Sequence, residues 1–279
     1  MNLTDRISKN HLTLKQSKTI ESILEELDSS AFLSGHEICD KYNTSFSSLT
    51  RIAKALDYSG FPELKKDIEQ EYRNQFSPSV KAENFIAEVK DQSVLSHTML
   101  KEQNMIEKLL LSIDEDLLTK IAESIHHSKR VFIVGVGFIE PIVQKLTSGL
   151  NLLNKNAYSL TTLGFSQQLE MYSPNEHDLV IMMSMNKELV ELQSFSQILK
   201  DKNIPSLLIS DKKTSGLRSK LKYIIHAPSQ TSAMLNNLTS FLIITNLIES
   251  LVFSLDKQSH LSKIKSIEEQ WETLPLFLS

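Results

Sequence analysis

The sequence predicts an all-α helix-turn-helix domain followed by an α/β domain whose parallel five-stranded sheet is flanked by helices. Three observations carry this. Ser34 and Glu37 stand at capping-box spacing ahead of two short amphipathic stretches separated by Asn43, the pattern of a helical hairpin with a left-handed turn. RVFIVGVGF, Arg130 to Phe138, is a continuous apolar run ending in glycines, as expected of a strand covered on both faces. Further short strand candidates at 157–160, 179–183, 206–209 and 223–226 are separated mostly by helical segments, which implies a parallel sheet.

The elements follow in order. Thr13 and Gln16 form a first capping-box pair, and Ile20, Ile23, Leu24 and Leu27 repeat at i, i+3, i+4 and i+7, so a helix starts there and buries that stripe. A second helix begins at Ser34, carries Ile38 and Tyr42 on one face, and stops at Asn43. Ser45 caps a third, in which Leu49, Ile52, Ala53 and Leu56 line one face and leave Ser48, Arg51 and Lys54 outside. This third helix has two cations and no acidic residue, and its N-terminus offers hydroxyls and amides suited to phosphate and base-edge contacts. Periodicity alone fits an ordinary helical hairpin equally well. Pro62 marks another helix start, with Leu64 and Ile68 buried beside Lys65 and Lys66.

The polar run Asn74 to Asn84, with its Ser-Pro step, reads as a break. The expected organisation is a helix-turn-helix domain over 1–76, a linker over 77–92 and the α/β domain over 93–279. Two helices are expected between Ser93 and His127, the second capped by Asp114, leading into the first strand.

Composition narrows the function classes. A net charge of −4 and a pI near 6.1 give no global footprint of a nucleic-acid binder. Residues 1–76 hold ten Lys and Arg against twelve Asp and Glu, so DNA binding must rest on a local patch and on dimerisation. The lone Cys39 reads as a small apolar residue in a reducing, cytoplasmic setting. The N-terminus lacks the pattern of a secretory signal, and the apolar stretch 233–255 contains Asn236, Asn237, Asn246 and Glu249, so a buried or interface helix is expected rather than a membrane span.

The chemistry of the second domain should lie at the strand ends. Gly135 and Gly137 follow the first strand and could let amides approach an anion, but no third glycine completes a dinucleotide fingerprint and no P-loop is present. Ser184, Asn186 and Lys187 follow the third strand, and Ser229 and Thr231 the fifth. They offer hydroxyls, an amide and an ammonium to a polar ligand, although Lys187 also suits a plain solvated loop. No catalytic set, metal-ligand spacing or cofactor motif stands out.

The stretch EICDKYNTSFSSLTRIAKALDYSGFPELKK resembles the helix-turn-helix signature of the RpiR/MurR family of bacterial transcriptional regulators, with Leu56, Tyr58, Gly60, Phe61 and Lys65 in its tail. Ser45, Ser48 and Arg51 stand where the family has its cap, hydroxyl and arginine, and Asn43 replaces the turn glycine. RVFIVGVG and HDLVIMMS resemble the first and third strands of a sugar isomerase (SIS) domain. The resemblance covers nearly the whole chain. It implies a DNA-binding homodimer or homotetramer that is not an enzyme. Ser45, Phe46, Ser48 and Arg51 would meet the operator, with Lys54, Lys65 and Lys66 on phosphates. A small effector, a phosphosugar by default, would sit among Gly135, Gly137, Ser184, Asn186, Lys187, Ser229 and Thr231. The family's serine after the first turn is Phe138 or Ile139 here, and SMNKEL keeps only the first serine of its Ser-x-Ser-Gly-x-Thr loop. Three readings remain open: a sensor of a small metabolite, an effector-blind dimerisation domain, and a sugar-phosphate isomerase.

Overall fold

The structure, a computed structural model, describes residues 3–75, 77–90, 93–162, 169–186, 189–212, 216–229 and 237–273. It divides into two units, one from Met1 to Lys90 and one beginning at Asp91.

The first unit is helical throughout. It comprises α1 (Leu3–Lys9), α2 (Leu14–Glu25), the short α3 (Leu27–Ser30), α4 (Gly35–Lys41), α5 (Phe46–Ala55), α6 (Phe61–Gln75) and α7 (Pro78–Val89). Both capping boxes form as the spacing demands, Thr13 with Gln16 and Ser34 with Glu37. Asn43 adopts φ 45, the left-handed conformation that lets α4 turn into α5. Ile20, Ile23, Leu27, Ile38, Leu49, Ile52, Ala53, Leu56, Leu64 and Ile68 then close into one core.

Two helices lie outside the segments that periodicity announces. A proline at the first helical position has its φ preset and no amide to lose, so the Ser77-Pro78 step starts α7 inside the stretch read as a linker. The segment Leu3–Lys9, ahead of the first expected helix, is itself helical. Its Arg6 lies 4.4 Å over the Tyr58 ring and donates to the carbonyls of Leu56 and Asp57 at 3.1 and 2.9 Å, satisfying acceptors at the end of α5.

The second unit opens with α8 (Val94–Ser112) and α9 (Glu115–His127), the latter capped by Asp114 as expected. Five strands follow: β1 (Val131–Val134), β2 (Ala157–Leu160), β3 (Leu179–Ser184), β4 (Ser206–Ser210) and β5 (Tyr223–His226). They are all parallel, in the order β2-β1-β3-β4-β5. The helices are α10 (Glu140–Leu152), α11 (Val190–Asp201), α12 (Thr239–Leu255) and α13 (Lys257–Thr273).

Alternate strand residues feed two cores. Val131, Ile133, Leu179, Ile181 and Met183 pack with α9, α10 and α12, while Phe132, Val134, Val180 and Met182 pack with Leu192, Phe195 and Leu199 of α11. Apolar residues on both strand faces are what a parallel sheet covered by helices requires. The long apolar stretch is here a core helix: Phe241, Ile244, Ile248 and Val252 of α12 are buried. No single helix among the described residues is long and apolar enough to cross a membrane. Because β1 connects to β2 on one side and neighbours β3 on the other, the strand order reverses between β1 and β3, and their C-terminal ends mark the switch point where such sheets take ligands.

Candidate DNA interface and strand-end site

The α4–α5 hairpin places its functional residues through packing. Leu49, Ile52 and Ala53 anchor α5 in the core and turn Arg51 and Lys54 to solvent. Ser45 caps α5 by accepting from the Ser48 amide at 3.2 Å, and Ser48 is half-buried beside it. Phe46 is 45% exposed, but its ring stacks on His36 and meets Phe61 edge to face. A side chain at Gly35 would strike that ring at 2.6 Å. Phe46 therefore wedges α4 against α5, and a glycine is needed where the helices meet. Lys66 is exposed.

Lys65 is a correction. Its ammonium turns inward to the carbonyls of Ser30 and Ala31 and lies 3.7 Å from Glu69. These carbonyls end the short α3 and need donors, so Lys65 closes the core instead of facing a phosphate, and burial depresses its pKa.

At the switch point the glycines also have roles other than those expected. The Gly135 amide donates to the Leu160 carbonyl at 3.1 Å, in the ladder with β2. An added Cβ there would meet Ile139 at 2.8 Å, Val143 at 2.9 Å and the Met183 carbonyl at 3.1 Å, so the absent side chain lets β1 approach β3 and α10. Gly137, at φ 81, opens a short 3-10 turn into α10, and its amide donates to the Glu140 carboxylate at 2.9 Å. Neither amide is directed to a ligand.

Ser184 ends β3 with its hydroxyl buried and without a hydrogen-bond partner among the described residues. Asn186, at φ 65, donates its amide to both oxygens of Asp211 at 3.1 Å. Ser229 donates to the same carboxylate at 2.6 Å, and His226 Nε2 lies 3.1 Å from the Asp211 carbonyl oxygen. Asp211 thus ties together the loops after β3, β4 and β5. Lys187 and Thr231 lie outside the described residues.

Sequence reasoning missed Asp211 and Glu140 as organisers of the site. Both stood in the polar loops after apolar strands, but nothing local distinguishes a carboxylate that accepts from a neighbouring loop from one facing water.

Desolvation pushes the Asp211 carboxyl above its ordinary value, against the hydrogen bonds from Ser229 and Asn186 and the charge of Lys212. A folded-state pKa above the unfolded one means that the group's stabilising contribution is complete below the unfolded pKa of about 3.9 and is lost as pH rises through the folded value. Asp211→Asn does not ionise, so its stability should gain on that of the native protein as pH climbs through this window. Denaturation midpoints of both proteins across that range check this, and a difference independent of pH contradicts it.

An exposed cationic helix on a helix-turn-helix hairpin, joined in one chain to a parallel sheet with a polar switch point, defines a two-domain class: a helix-turn-helix domain followed by a SIS domain. Residues 1–75 match the model of the helix-turn-helix domain, rpiR family, and residues 124–251 match that of the SIS domain. The chain thus joins a helix-turn-helix domain of the rpiR family to a SIS domain.

Its relatives include an uncharacterised HTH-type transcriptional regulator of Clostridium perfringens, 28% identical over 62% of this chain and 58% of the relative. Another, YfhH of Escherichia coli K12, is 26% identical over 56% of this chain and 57% of the relative. The matches thus span under two thirds of either relative's length. Among solved structures, the Vibrio vulnificus NanR protein complexed with ManNAc-6P has a TM-score of 0.63 at 13% identity, covering 95% of this chain and 96% of that one. The sugar isomerase domain of an RpiR transcription factor from Sphaerobacter thermophilus has a TM-score of 0.60 at 16% identity, covering 64% of this chain and 99% of that one. At such identities the likeness is one of fold.

Proposed function

We propose that this protein is a cytoplasmic DNA-binding transcriptional regulator whose operator affinity is set by a small carbohydrate-class metabolite at the SIS strand ends. The observation that carries the reading is α5: a recognition helix anchored by Leu49, Ile52 and Ala53 that presents Arg51 and Lys54 to solvent. Two such helices, brought together in a homodimer or homotetramer, would enter successive major grooves. Pairing compensates for the lack of net positive charge on one module, since phosphate contacts add across the two half-sites.

The metabolite would act by favouring one spacing of the two helices over another, which requires different affinities for the two states. The names of the two relatives support a regulator over an enzyme, and ManNAc-6P in the NanR structure supports a carbohydrate derivative as effector class. Genome-wide mapping of bound sites, followed by mobility-shift titration on the enriched sequence, tests this. We expect a two-fold symmetric motif bound at least about a thousandfold more tightly than random duplex. Equal affinity for both duplexes overturns the proposal.

A further inference from the structure

We propose that α8 is a self-docking surface, through which two copies of this chain pair antiparallel about a two-fold axis passing between Glu102 and Gln103. This deepens the proposed homo-oligomer by naming the face that joins the copies, and it rests on neither the hairpin nor the strand ends.

α8 is more apolar than its cover in one chain explains. A surface helix keeps its large apolar residues in one stripe toward the core, and a helix that is apolar on several sides is a buried one. In α8 the residues His97, Met105 and Leu109 are buried. Leu95, Met99, Ile106 and Leu110 are 43–73% exposed, and Leu100 and Leu111 are exposed as well. At about 100° per residue, Leu95, Met99, Ile106 and Leu110 fall within about 60° of one another. They form a single stripe along the helix.

The spacing of the stripe indicates what covers it. Its steps are four, seven and four residues, the same read from either end. An antiparallel copy therefore sets Leu95 opposite Leu110 of the partner subunit and Met99 opposite Ile106 of the partner subunit, each pair occurring twice, which is the self-complementarity of an isologous interface. An unrelated partner imposes no such symmetry. Glu102 selects the direction. It lies midway along the edge of the stripe, and its carboxylate accepts from the Thr239 hydroxyl at 2.9 Å and from the Asn237 side-chain amide. Parallel copies in register would bring two such carboxylates together, and like charges repel. Antiparallel copies set each beside Gln103, whose amide has a donor beyond the one it gives to Glu107.

Sedimentation equilibrium of the whole chain, with disulfide trapping in a Cys39→Ser background, tests this. Met99→Glu and Ile106→Glu each place two carboxylates in a symmetric interface, so each should weaken association at least about tenfold in Kd. Both positions are exposed, and circular dichroism should show an unchanged fold. Met99→Cys combined with Ile106→Cys should yield covalent dimers on mild oxidation, because the introduced thiols stand about 10.5 Å apart along one helix, too far to bridge within a chain. Neither cysteine substitution alone should do so. An oligomer that keeps native affinity in both glutamate variants, or that cross-links through Met99→Cys alone, overturns the proposal and leaves the homo-oligomer standing. A native chain that is monomeric at every concentration overturns both.

Discussion

Arg51→Ala is expected to weaken operator binding by about 1–3 kcal/mol per half-site, the range for losing a bidentate base contact, with no change in oligomeric state. The side chain is exposed on α5, on the face turned away from Leu49, Ile52 and Ala53, so its removal leaves the core and the thermal midpoint nearly untouched. Arg51→Lys separates two mechanisms. Lysine keeps the charge and loses the planar fork, so a phosphate contact is largely rescued and a base contact is not. Lys54→Ala and Lys66→Ala should instead lower affinity for all sequences alike and reduce the salt slope by about one each. Unchanged affinity of Arg51→Ala in a mobility-shift titration removes Arg51 from the interface.

The second large effect falls on stability, far in sequence from the hairpin. Asp178, fully buried before β3, accepts from Arg130 Nε at 3.1 Å, from Arg130 Nη2 at 2.7 Å and from the Asn175 amide at 3.0 Å. Arg130 precedes β1 and also donates to the Ser173 carbonyl, so the pair ties together the N-terminal ends of two central strands. Asp178 is the buried partner, so Arg130→Ala strands its charge and should cost about 3 kcal/mol. For a unit of this size that corresponds to a drop of about 6–12 °C in Tm.

Desolvation raises the Asp178 pKa, but the Arg130 hydrogen bonds and charge and the Asn175 amide outweigh it and hold the carboxyl below its ordinary range. With the folded pKa below the unfolded one, the stabilisation is complete above about pH 3.9 and is lost as pH falls through the folded value. The gap between native and variant protein should therefore close in acid. A gap constant from neutral pH into strong acid contradicts this account.

The local parts of this protein were legible in its residues. Capping boxes join side chains three residues apart, so Ser34 and Glu37, or Thr13 and Gln16, announce a helix start whatever surrounds them. Asn43 marks its turn for the same reason. Apolar runs located all five strands, and their alternation with helices implied the parallel sheet. Pro78 misled because one residue type ends some segments and begins helices.

What residue order could not disclose lies in contacts across the chain. Lys65 and Lys66 look alike in sequence, yet only the fold brings the carbonyls of Ser30 and Ala31 to Lys65. Gly135 and Gly137 read together as an anion-binding pair, but the sheet claims one amide and Glu140 the other. Asp211 becomes the tie among three loops only when β3, β4 and β5 lie side by side. Residue order alone was enough for most elements, their order and the α4–α5 hairpin, because capping and periodicity act over a few residues. The tertiary structure decided which polar groups remain to meet a ligand, because a hydrogen bond between loops depends on the strand order that brings them together.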